Sequence, residues 1–168
     1  MALAQPASLE DLLLYRLNRV LRPAGGMVIR LCEGRFGVTR REWAILGLLG
    51  THEDLISSQL AELAQLDRAR TSRAVTSLVA KQLVRRQAGS GDRRHARLAL
   101  TPQGRALYDA IFPVVRELNT QLLAVLSPSQ VAQLDDALQR LQVRAHELAA
   151  SLDLPKADRR RGGARRAA

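Results

Sequence analysis

The chain has 168 residues, enough for one buried core or one domain with helical extensions, and an aromatic content of 3% leaves Leu and Ala to build most of that core. With 26 Lys and Arg against 16 Asp and Glu it carries a formal charge of +10, nearly all of it arginine, whose planar fork of donors suits phosphate oxygens and guanine edges. A single cysteine excludes an internal disulfide framework and a multi-cysteine metal site. No charged n-region precedes an apolar run at the start, and nothing approaches the roughly 20 apolar residues of a membrane span, so a cytoplasmic, nucleoid-associated protein is expected.

Ser8 is a helix-capping residue, and Leu9, Leu13, Leu17, Val20 and Ala24 follow at helical spacing. Pro23, Gly25 and Gly26 predict a kink or break before an apolar continuation from Met27 to Phe36, closed by Gly37. Thr39-Arg40-Arg41-Glu42 reads as a capping box opening a short helix that runs through Leu49 and ends at Gly50. Ser57 is expected to cap the next helix, with Leu60, Leu63 and Ala64 apolar, and Asp67 to cap a third that reaches about Gln82.

The period then changes. Val84–Gln87 and Arg94–Thr101 are short, basic and compatible with strands, and residues 88–92 supply a Gly-rich tip, which predicts a two-stranded hairpin. In its second strand Ala96, Leu98 and Leu100 share one face while His95, Arg97 and Ala99 share the other. Thr101-Pro102 opens another helix with stripe Leu107, Ile111, Val114, Val115, Leu118 and Leu122, and Ser127-Pro128-Ser129-Gln130 caps a last one with stripe Val131, Leu134, Leu138, Leu141, Ala145 and Leu148. From 153 to 168 the chain is a basic tail expected to be disordered.

Helix, turn, helix and basic hairpin form the order of a winged helix-turn-helix, whose second helix enters the DNA major groove. Nine basic residues lie from Arg68 to Arg97 (Arg68, Arg70, Arg73, Lys81, Arg85, Arg86, Arg93, Arg94 and Arg97), with Asp92 the only acid. Such a stretch repels itself unless a polyanion is near. Ala74, Val75, Leu78 and Val79 are expected inside, leaving Arg70, Thr71, Arg73, Thr76 and Ser77 for base edges. The remaining candidate DNA contacts are Ser57, Ser58, Arg68, Arg85, Arg93, Arg94 and His95; Asp92 is read as orienting the wing, so that Arg94 meets the minor groove and Arg93 a phosphate.

The sequence resembles the MarR family of bacterial regulators in Leu60-Ala61-Glu62-Leu63, in the run from Leu78 to Arg86, in Gly91-Asp92-Arg93-Arg94 and in Leu98-Ala99-Leu100-Thr101-Pro102-Gln103-Gly104, with Gly37-Val38-Thr39 and Glu42-Trp43 upstream. The likeness covers about residues 8–150. It implies a mainly α fold with a small β wing: a DNA-binding domain over 39–101 between dimerisation helices at 8–36 and 102–150. It also implies a homodimer on double-stranded operator DNA, and a small-molecule effector in a cleft between dimer arms and DNA-binding lobe. Tyr15, Arg16, Trp43 and His52 lie in or just after the helices lining that cleft, and an arginine beside aromatics suits an aromatic carboxylate. The family has glycine where this chain has Gln82, at a left-handed helix ending that costs a Gln about 1 kcal/mol.

Cys32 reads as a small hydrophobe, with oxidation sensing as the alternative because Arg30 and Arg35 flank it. His52, His95 and His146 have no metal-ligand spacing, and no catalytic triad or phosphate-binding loop occurs, so neither metal, cofactor nor enzymatic activity is expected. The reading is a sequence-specific regulator, a repressor released by its ligand; the competing reading is an architectural protein that binds DNA by charge alone.

Overall fold

A computed structural model of the chain describes residues 3–52, 54–87 and 96–155. By their internal contacts they fall into two units, one ending at Leu122 and the other beginning at Leu123. In the first, α1 (Leu13–Phe36), α2 (Arg40–Thr51), α3 (Ser57–Leu63), α4 (Arg68–Ala80) and α5 (Pro102–Leu123) accompany a sheet of β1 (Leu55–Ile56), β2 (Val84–Gln87) and β3 (Arg97–Leu100). The second holds α6 (Pro128–Ser151). The expected mainly helical winged fold is present.

Several local expectations need correcting. Ser8 caps only a 3-10 turn, Leu9–Asp11, where the Asp11 carboxylate accepts from the Ala7 and Ser8 amides at 3.1 Å; α1 begins at Leu13. Pro23 does not break α1. Proline's fixed φ is already helical, and the single missing bond is outweighed by the packing of Val28, Cys32 and Phe36 on the core and by the left-handed ending at Gly37, φ 66°. Gly50 lies inside α2 rather than ending it; a Cβ there would stand 2.7 Å from the Tyr108 ring. The hairpin is a three-stranded sheet of order β1-β3-β2, because Leu55 and Ile56 pair with Leu98 and Arg97 ahead of α3. Ser57 is the first residue of α3 rather than its cap, and the Gln59 side chain takes the Ile56 amide at 3.1 Å.

The core is aliphatic: Val38, Ile45 and Leu46 from α2 and its approach, Leu60 from α3, Val75 and Leu78 from α4, Val84 and Leu98 from the sheet, and Ile111 from α5 are all essentially buried. In β3, Leu98 points inward and Arg97 outward, the alternation expected of a half-covered strand. The turn from α4 into β2 is a Schellman ending, with the Gln82 amide on Val79 O at 3.0 Å and the Leu83 amide on Leu78 O at 2.9 Å. Gln82 sits at φ 60°, the left-handed conformation that its departure from glycine put in question. Gln82→Gly is therefore expected to stabilise the domain by about 1 kcal/mol, read as a higher urea midpoint at unchanged slope. A lower midpoint would show that the position tolerates Gln without strain.

In the second unit Ser127 and Gln130 close a capping box, the Ser127 amide on Gln130 Oε1 at 2.8 Å and the Gln130 amide on Ser127 Oγ at 3.3 Å. No residue of α6 is buried, and Leu134, Leu138, Leu141 and Leu148 form an exposed apolar stripe along it.

Candidate nucleic-acid interface

Two helices joined by a tight turn present the candidate site. α3 ends with Gln65 at φ 51°, where the Leu66 amide bonds Ala61 O at 3.0 Å; Asp67 then caps α4 by accepting the Arg70 amide at 2.8 Å. The inward face of α4 is Thr71, Ala74, Val75 and Leu78. This bears out the expected burial of Ala74, Val75 and Leu78 and corrects that of Thr71. Thr71 is 1% exposed and donates its hydroxyl to Asp67 O at 3.1 Å, so it cannot meet a base edge. Its spacing of three, four and seven residues to the buried positions carried that signal; its polarity masked it.

The outward face holds Ala69, Arg70, Ser72, Arg73 and Thr76, all exposed. Ser72 was not singled out from sequence, although it lies four residues before Thr76 on the same face. Arg68, Ser57 and Ser58 are exposed in the first turns of α4 and α3, and Arg85 on β2 is exposed as well. Arg86 pairs with Leu98 across the sheet and reaches back to α4, its guanidinium 3.4 Å from Thr76 Oγ1. Strand alternation puts Arg86 on the face of Val84, which is why it arrives beside the helix. Asp92, Arg93, Arg94 and His95, and the basic tail from Lys156 onward, lie outside the described residues.

One buried carboxylate ties this helix to its support. Glu42 is 2% exposed; its Oε2 accepts the Thr39 amide at 2.6 Å, its Oε1 the Ser77 hydroxyl at 2.6 Å, and Lys81 Nζ stands 2.9 Å away. Lys81 also donates to Gly37 O at 2.9 Å. Burial pushes the Glu42 carboxyl up, but the hydrogen bonds from Ser77, Thr39 and Lys81, with the lysine's charge, outweigh it and hold the group below its ordinary 4.5. Ser77, expected at a base edge, is thus committed to the protein, as is Lys81 of the basic stretch.

The four expected effector residues are not joined by any hydrogen bond, ion pair or ring contact among the described residues. Trp43 stacks on Tyr108 at 5.9 Å between ring centroids, and Tyr108 on Phe112 at 5.4 Å. His52 is exposed at the end of α2, Arg16 is exposed on α1, and Tyr15 is half-buried. Cys32 is fully buried, and burial first, Glu33 second, push its thiol up, which opposes the thiolate character an oxidation sensor needs.

A helix-turn-helix with arginines on the outer face of its second helix, backed by an antiparallel sheet, defines a winged helix-turn-helix DNA-binding protein. The chain matches the MarR family over residues 36–95. It is 30% identical over 141 residues to the HTH-type transcriptional repressor Rv2887 of Mycobacterium tuberculosis, spanning 84% of this chain and 98% of that one. A MarR family transcriptional regulator from Silicibacter pomeroyi superposes with a TM-score of 0.70 over 89% of this chain and 96% of its own, at 26% identity. Staphylococcus aureus MepR, solved in complex with DNA, shares the fold with a TM-score of 0.73 over 79% of this chain and 98% of its own, at 21% identity. This chain belongs to the MarR family: it is a transcriptional regulator and not an enzyme. No helix among the described residues is long and apolar enough to cross a membrane.

Proposed function

We propose that the protein is a cytoplasmic, homodimeric repressor that reads a pseudo-palindromic operator with α4 in the major groove. The observation that carries this reading is the outer face of α4, where Arg70, Arg73 and Thr76 stand exposed over a helix whose other side is locked into the core. Arginine can bind guanine with two parallel hydrogen bonds, and threonine offers a hydroxyl and a methyl. The neighbour solved with DNA has the same fold. Arg73→Ala should lower operator affinity by about 1–3 kcal/mol and relax base preference at one position of each half-site. Equal weakening on every sequence would make Arg73 a phosphate contact.

The dimer is supported by apolar surface that one chain leaves uncovered: Leu14, Val20 and Leu21 on α1, Phe112 and Leu122 on α5, and the leucine stripe of α6. Residues 8–36 and 102–150 are the proposed dimerisation arms around the DNA-binding domain of 39–101. Light scattering at micromolar concentration should give twice the 18.5 kDa chain; the mass of one chain would contradict it. Release by a small aromatic acid completes the reading. Tyr15, Arg16 and His52 are the residues left to meet it, since Trp43 is engaged with Tyr108. Benzoate added to the operator complex should free the DNA, and an unchanged complex at millimolar benzoate would count against an acid of this class.

A further inference from the structure

Arg41 stands outside the helix-turn-helix, in the first turn of α2, yet it shares a surface with the arginines of α4. A groove of about 230 Å³ is walled by Thr39, Arg41 and Glu42 on one side and by Arg70, Arg73 and Ser77 on the other. It adjoins a wider hollow of about 630 Å³ with Arg41 and Arg70 again on its wall. Arg41 and Arg73 are exposed and have no hydrogen-bond or ion-pair partner among the described residues, while Arg70 pairs with Asp67 at 3.2 Å. Of the two carboxylates that line these hollows, Glu42 is already matched by Lys81, and Glu33 lies on the wall of the wider hollow only. Among the described residues, Arg41 and Arg73 therefore present positive charge here that no carboxylate pairs.

Arg41 does not serve its own helix, because a cation in the first turn opposes the helix dipole. Its position relative to α4 is nonetheless fixed. The capping box sets the first turn of α2, and the bonds from Glu42 to Ser77 and Lys81 fasten that turn to α4. Arg40 also lines the wider hollow but not the groove, and one of its guanidinium nitrogens lies 3.9 Å from the place a Gly25 Cβ would take, back along α1.

We propose that Arg41 grips a phosphate of the DNA backbone beside the major-groove edge met by Arg70 and Arg73, adding affinity without base preference. This deepens the operator-binding reading and rests on it. The experiment titrates the wild-type protein, Arg41→Ala, Arg41→Lys and Arg40→Ala with a duplex selected from a random-sequence pool and with a random duplex, across 50–200 mM salt. Arg41→Ala should weaken both duplexes by a similar factor, on the order of tenfold, and flatten the log–log salt dependence by about 2 per dimer, one released counterion for each lost contact. Arg41→Lys should keep most of that slope, since a point charge suffices for phosphate. Arg40→Ala, which removes the same charge, should change the slope far less, and all four proteins should melt alike. A wild-type slope in Arg41→Ala, or a loss confined to the selected duplex, would overturn the assignment. If the wild-type protein showed no preference between duplexes, the operator reading would fall, and the slope on random duplex would still decide for or against the phosphate contact.

Discussion

Gly104→Ala should destabilise the domain by about 4 kcal/mol, enough to leave little folded protein at 37 °C. The first turn of α5 rests on the backbone that leaves α4: the Thr101 amide bonds Leu83 O at 3.1 Å, the Thr101 hydroxyl bonds Gln82 O at 2.7 Å, and the Gly104 amide returns to Thr101 Oγ1 at 2.9 Å. A Cβ on Gly104 would lie 1.9 Å from Leu83 O and 2.8 Å from its carbonyl carbon. That carbonyl cannot retreat without giving up the Thr101 amide, and Leu83 and Val84 beside it are buried in the core. The whole first turn of α5 would have to lift. A urea melt checks this; a midpoint within error of wild type would mean that the two backbones are not in contact.

Glu42→Ala is the second large effect, about 3 kcal/mol, because it removes the capping-box acceptor and leaves the Ser77 hydroxyl and the Lys81 ammonium without their buried partner. Its DNA affinity should fall as well, since α4 loses its fastening to α2. Glu42→Gln isolates the charge. Because the folded carboxyl is held below its ordinary value, its contribution is complete above pH 4.5 and is lost as pH falls through the depressed folded value. The stability gap between wild type and Glu42→Gln should therefore be constant near neutral pH and shrink on acidification below 4.5. A gap that stayed constant down to pH 2, or grew on acidification, would remove Glu42 as an ionised link between the two helices.

What the sequence disclosed was mostly local. The caps at Thr39, Asp67 and Ser127 are written in adjacent residues, and the inward positions Ala74, Val75 and Leu78 follow from helical spacing. Thr71 was legible from the same spacing, but a hydroxyl satisfied by its own helix reads as exposed until the bond is seen. β1 is two residues long, too short for any period, and exists only because β3 offers it an edge. The Glu42 cluster joins residues 35 and 39 positions apart, a distance across which a single sequence carries no sign of contact. Pro23 illustrates the reverse case, a strong local signal that tertiary packing overrides.

In the proposed function the exposed face of α4 reads sequence rather than charge alone. Competition between a duplex selected from a random-sequence pool and an unselected duplex, at fixed salt near 150 mM, addresses it directly. The selected duplex should be two-fold symmetric, with half-sites about 34 Å apart, and win by a factor of roughly 10³ or more. Equal competition by the two duplexes would contradict it, leaving a protein whose +10 charge binds DNA without reading it.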